Sequence, residues 1–141
     1  MESHPLDALA EDDIRTLIEA AARARSNAYV PYSGFAVGAS IRGLSGEIYA
    51  GCNVENASFG LTICAERNAV HHAVAQGSRS FLAIAVVTAN GVAPCGACRQ
   101  VLAEFSPGMT VIVADVAGRY FLYNLSDMLP HAFTPSQLQA S

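Results

Sequence analysis

Three cysteines in two short motifs constrain this chain more than anything else in it. Cys64 opens Cys64-Ala65-Glu66, and Cys95 and Cys98 lie about thirty residues further on, in Pro94-Cys95-Gly96-Ala97-Cys98. Both motifs stand where the apolar spacing starts a helix, so the cysteines sit at helix N-termini. Unpaired backbone amides and the helix dipole stabilise negative charge there, and the thiolate is the form that binds zinc. The spacing of Cys95 and Cys98 lets two sulfurs in one helical turn reach the same tetrahedral ion, while Cys64 supplies a third ligand from elsewhere. Three protein ligands leave one coordination position open, which separates a catalytic zinc from a structural one. Glu66 projects from the same first turn as Cys64 in a different direction, where a proton-carrying carboxylate is useful. Three thiolates and a hydroxide would give one zinc a net charge of about −2, which blunts its Lewis acidity. Arg67 and Arg99 each follow a motif directly, and at least one is expected to donate hydrogen bonds to the sulfurs, the alternative being two ordinary surface arginines.

The rest of the chain supplies a frame for these motifs. Acidic Glu11, Asp12 and Asp13 precede apolar residues at helical spacing, Ile14, Leu17, Ile18, Ala21 and Ala22, and predict a helix over residues 11–26. Residues 35–44 and 47–54 read as strands joined by a turn at Ser45-Gly46. A helix over 64–76 closes at Gly77, a nearly continuous apolar run over 81–88 reads as a buried strand, and a helix follows over 95–105. Strands over 110–114 and 120–123, with room for a short helix over 126–129, complete the order. Such alternation predicts an α/β fold with a central mixed sheet and helices on its faces. The 141 residues suit a single domain, 1–141, whose ends, 1–10 and 135–141, are expected to be loosely held.

Composition narrows the partners. The formal charge is −4 and the eight basic residues, all arginines, are scattered, so no run can neutralise a phosphate backbone and a nucleic-acid polymer is not expected. The sequence has no stretch suited to spanning a bilayer and no secretory signal at its start, which points to the cytoplasm. Only 14% of residues are charged and 52% are hydrophobic, against roughly a quarter charged in an average soluble domain. That balance points to surface buried between subunits, although a large core would give some of the same signal.

Cys64-Ala65-Glu66 followed by Pro94-Cys95-Gly96-Ala97-Cys98-Arg99-Gln100 resembles the small, homotetrameric type of zinc-dependent cytidine deaminase. The likeness extends to Pro31-Tyr32-Ser33-Gly34-Phe35-Ala36-Val37-Gly38, to Gly51-Cys52-Asn53-Val54-Glu55-Asn56-Ala57-Ser58 and to Leu129-Pro130-His131-Ala132-Phe133, and covers about residues 14–133. It implies a three-layer αβα sandwich with a mixed five-stranded sheet, and one Zn2+ per chain held by Cys64, Cys95 and Cys98. Glu66 is then the catalytic residue in the hydrolytic deamination of cytidine and deoxycytidine, in pyrimidine salvage. It further implies that Asn53 and Glu55 bind the sugar hydroxyls, that Phe35 and Ala65 line the nucleoside site, and that Phe133 of a neighbouring subunit stacks on the base. An amide and a carboxylate two apart on an extended segment do face one side and can serve a hydroxyl, although a polar turn holding itself together would use the same residues. Phe59 departs from much of the family, where an aromatic hydroxyl is frequent, so a polar contact across the subunit interface is missing there.

Other readings account for less. A thiol oxidoreductase would use the Cys95–Cys98 spacing but not Cys64 or Glu66. A structural four-cysteine zinc module would recruit Cys52, which is better read as a small buried thiol in the second strand, and would need no glutamate. The related deaminase of the antibiotic blasticidin S shares the metal motifs, while the Asn53 to Ser58 segment favours an ordinary nucleoside. His71 and His72 are packing or surface groups, since the ligand set is complete without them.

Overall fold

A computed structural model describes residues 9–138; the expected loose ends at 1–8 and 139–141 lie outside the described residues. The elements run α1 (Glu11–Arg25), β1 (Gly38–Gly43), β2 (Ile48–Cys52), α2 (Ala65–Ala75), β3 (Phe81–Thr88), α3 (Gly96–Phe105), β4 (Thr110–Asp115), β5 (Tyr120–Asn124), α4 (Leu125–Met128) and α5 (Pro135–Leu138). The five strands form one sheet in the order β2-β1-β3-β4-β5. Only β3 and β4 run parallel, with α3 as the crossover between them, so the sheet is mixed as expected.

Alternation along the strands sends side chains to two separate cores, one on each face. Ala83, Ala85 and Val87 of β3, with Ile112 and Ala114 of β4, meet Leu9, Ile14, Leu17, Ile18 and Ala21 on the α1 side. Ile84 of β3, with Ala39 and Ile41 of β1 and Val111 and Val113 of β4, meets Ala69, Val70 and Ala73 of α2 and Leu102 of α3 on the other. Ile41, Ile84 and Ile112 are fully buried, each contributing about 1.5–3 kcal/mol of transfer free energy. The result is the expected three-layer sandwich. Leu9 packs into the α1 core, and residues 135–138 form a single helical turn.

Two glycines set the distance between layers. A side chain carbon on Gly38 would lie 1.9 Å from the Ala21 carbonyl of α1, and one on Gly51 would lie 2.5 Å from the Ala69 amide of α2. Both helices therefore rest directly on strand backbone. Asn68 of α2 adds a hydrogen bond from Nδ2 to the Cys52 carbonyl at 2.8 Å, fixing α2 against β2. On the opposite face an ion pair between Arg42 and Asp13, 2.7 Å apart, ties β1 to the first turn of α1.

Candidate active site

The N-termini of α2 and α3 converge at one end of the sheet. Cys64 is the residue that caps α2 and Cys95 the one that caps α3, both with extended backbone, so each helix begins one residue later than the apolar spacing suggests. Cys98 lies within the first turn of α3 and is buried, Cys64 is half-buried and Cys95 is exposed. The three sulfurs lie within 4.8 Å of one another. Sulfurs on a tetrahedral zinc at about 2.3 Å from the ion would be separated by roughly 3.8 Å, so this donor set fits zinc without rearrangement of the backbone. Cys52 stands apart, on β2, beside a separate shallow depression that includes Thr16 and Arg23.

The electrostatics of the cluster follow from its geometry. Cys64 is held at about 5, first because the Cys98 thiol donates to it and then because Arg67 does, with burial opposing both. Arg67 Nη2 reaches Cys64 Sγ at 3.3 Å. Cys98 is pushed up, chiefly because its proton is engaged by the Cys64 sulfur and because it is buried near Glu66. Glu66 is 5% exposed, and burial raises its pKa above the ordinary carboxylate range, reinforced by the negative Cys64. A carboxyl so placed holds a proton more readily than one in water.

Arg99 does not reach the sulfurs. Its Nε donates to the Pro94 carbonyl at 2.8 Å and its Nη1 to the Met128 carbonyl at 2.9 Å. Donors near the sulfurs are thus supplied by Arg67 alone of the two arginines. The reason is direction: the guanidinium of Arg99 is drawn across α3 by two backbone acceptors, one of them 29 residues away in sequence.

A cavity of about 300 Å³ opens beside the cluster, with Glu66, Ala65, Cys64 and Cys95 on one side and Phe35, Asn53 and Glu55 on the other. The second side is assembled by bridges between distant segments. Val54 exchanges two backbone hydrogen bonds with Ile63, next to Cys64, and Tyr29 bonds to both Asn53 and Glu55. Asn53 Oδ1 accepts from the Val37 amide and its Nδ2 donates to the Phe35 carbonyl, both at 2.9 Å. Glu55 accepts from the amides of Tyr32 and Ser33 and from the Ser33 hydroxyl, which keeps its carboxyl below the usual range. The polar turn does hold itself together, and each side chain retains capacity toward the cavity, since an amide has four hydrogen-bonding sites and a carboxylate about four lone pairs.

Sequence reasoning missed Ser33, Thr62, Thr88 and Val92, which also line the cavity. Thr88 carried a readable signal, a hydroxyl closing an apolar strand. Fully buried, it accepts from the amides of Gly91 and Val92 and shapes the loop that leads to Cys95. Phe133 is 59% exposed and does not line the cavity of its own chain. Phe59 is also exposed and meets Tyr32 edge to face, with ring centres 5.6 Å apart.

Comparison with known proteins agrees with this geometry. Residues 11–114 match the family described as the cytidine and deoxycytidylate deaminase zinc-binding region. A cytidine deaminase from Sporosarcina psychrophila is 47% identical over 129 residues, covering 89% of this chain and 95% of that one. One from Halalkalibacterium halodurans is also 47% identical, covering 89% and 98%. Among solved structures, cytidine deaminase from Burkholderia pseudomallei superposes with a TM-score of 0.82 at 46% identity, covering 89% of this chain and all of that one. Likeness in sequence and in backbone over most of the chain, together with three convergent sulfurs and a buried glutamate in one site, places the chain in the cytidine and deoxycytidylate deaminase family.

Proposed function

We propose that the protein hydrolyses cytidine and deoxycytidine to uridine and deoxyuridine with release of ammonia, serving pyrimidine salvage in the cytoplasm. The observation that carries this is Glu66, buried beside three convergent cysteines in a cavity whose far side bears an amide and a carboxylate. The cavity volume of about 300 Å³ suits a small ligand, at the lower end of the usual range of about 300–1,000 Å³. No helix among the described residues is long and apolar enough to cross a membrane.

Cys64, Cys95 and Cys98 would hold one zinc per chain, which when bound supplies the Lewis acidity that lets a water ionise near neutral pH. Arg67 draws charge from the Cys64 sulfur through its hydrogen bond. Glu66 takes a proton from the attacking water and delivers it to N3 of cytosine as the bond to C4 forms. It then helps move a proton to the amino nitrogen, so that the group leaves as ammonia. Burial supports this double role, because a raised pKa lets one carboxyl act as base and then as acid. Asn53 and Glu55 orient the sugar, and Phe35 and Ala65 flank the nucleoside. In a homotetramer, Phe133 of a neighbouring subunit closes the site over the base, in keeping with its exposure in the single chain. Loss of the cytidine absorbance band on adding purified protein, with zinc quantified in the same sample, tests this reading; zinc-loaded protein that leaves cytidine and deoxycytidine unchanged would overturn it.

A further inference from the structure

The N-terminal end of α3 makes two sets of contacts. Cys95 and Cys98 belong to the sulfur cluster, while the next two residues reach backbone carbonyls of the C-terminal segment. Arg99 holds the Met128 carbonyl at 2.9 Å, and Gln100 Nε2 holds the Phe133 carbonyl at 2.7 Å. Arg99 also binds the carbonyl of Pro94, the residue before Cys95, at 2.8 Å. Between the two tethered carbonyls the chain turns at His131, whose φ of 57° lies in the left-handed region that residues with side chains seldom enter. Residues 129–133 are thus anchored at both ends and bent between. Although its backbone is held in this way, the Phe133 ring stays 59% exposed and takes no place in its own chain's cavity.

We propose that Gln100 and Arg99 are positioning residues that brace the C-terminal segment on the metal-binding helix, so that Phe133 reaches the neighbouring subunit's cavity already oriented. The inference rests on the shared-site reading given above. It means that the N-terminal end of one helix supports two sites at once: its sulfurs belong to the subunit's own site, and its tethers to the next one. Gln100 is the cleaner probe, because Arg99 also touches the backbone beside a metal ligand.

The test is a subunit mixture. Chains carrying Glu66→Gln, which can lend a ring but cannot turn over, are co-expressed with Phe133→Ala chains, which keep Glu66 but lack the ring, and mixed assemblies are purified through two different tags. Sharing restores a low KM for cytidine at the Phe133→Ala sites. If the mixture shows no such restoration, the shared-site reading fails, and the brace falls with it. Given restoration, Gln100→Glu is placed on the lending chain, where a carboxylate of the same size cannot donate to the Phe133 carbonyl. KM at the working sites should then rise about two- to tenfold, the weight of one neutral hydrogen bond, with kcat and zinc content unchanged. The same substitution on the Phe133→Ala chain should change nothing. Gln100→Met, which removes the donor without adding charge, should repeat both results and guards against a folding defect specific to the acid. An unchanged KM in the lending chain, or a rise confined to the chain that keeps Glu66, would overturn the proposal.

Discussion

The two sides of the cavity are built on opposite plans. On the sulfur side, the polar groups find one another and little else: Cys95 donates to Cys98 at 3.4 Å, Cys98 to Cys64, and Arg67 to Cys64 at 3.3 Å. On the opposite side, Asn53 and Glu55 are held by amides and a carbonyl of residues 32–37 at about 3 Å. One side has the donor set for an ion and would be completed by it, while the other is held by the chain itself. On the proposed reading, metal binding belongs to the first side, while the second is preorganised by its own hydrogen bonds and would spend little ordering entropy on a ligand.

Breaking the sulfur side should have the largest effect. Cys98→Ala should leave zinc far below one per chain and turnover undetectable, with metal analysis and the cytidine assay as readouts. The contrast is sharpened by amide exchange in the same variant. The amides of Tyr32, Ser33 and Val37, held by Glu55 and Asn53, should stay protected, and their loss would show that the two sides are not independent. Glu66→Gln comes next: it keeps the shape but cannot carry a proton, so kcat should fall by about 10²–10⁴ with zinc and nucleoside binding retained. Near-normal turnover at full zinc occupancy would remove Glu66 from the mechanism.

Asn53→Ala attacks the other plan. It leaves the Val37 amide and the Phe35 carbonyl without partners, so stability in urea should fall by about 2 kcal/mol and KM should rise, while zinc content holds. A variant with normal stability and a raised KM would mean that Asn53 serves the sugar more than the loop. The smallest effect is expected from Cys52→Ser, which lies on neither side of the cavity. Zinc content, kcat and KM should all be unchanged, and loss of metal in this variant would revive a four-cysteine centre.

The parts of the site legible in the sequence were those whose chemistry is local. Cys64-Ala65-Glu66 and Cys95 to Cys98 each lie within one helical turn, so spacing alone brought their groups together. The strands were legible for the same reason, and the apolar run of β3 gave its bounds, Phe81 and Thr88, directly. β1 and β2 came out shorter than expected, Gly38–Gly43 and Ile48–Cys52: the Asn53 side chain takes the Val37 amide out of the strand ladder, Val54 pairs with Ile63 and Leu44 bonds to Ser80. Long-range partners were the part that could not be read. Nothing near Arg99 announces that its guanidinium bonds Met128, and nothing near Glu55 announces an acceptor role toward residues 22 and 23 positions earlier. Such contacts depend on how layers stack, which is set by close approaches such as that of Gly51 to Ala69.

Cys95 and Cys98, 3.4 Å apart with Cys95 open to solvent, also make the protein's lifetime a matter of oxidation. While zinc occupies both sulfurs, neither is free to attack the other. Once the ion is stripped, dioxygen can take two electrons and two protons from the pair and leave a disulfide, which no amount of added zinc will reopen without a thiol reductant. The same turn that gathers the metal thus decides whether its loss is reversible.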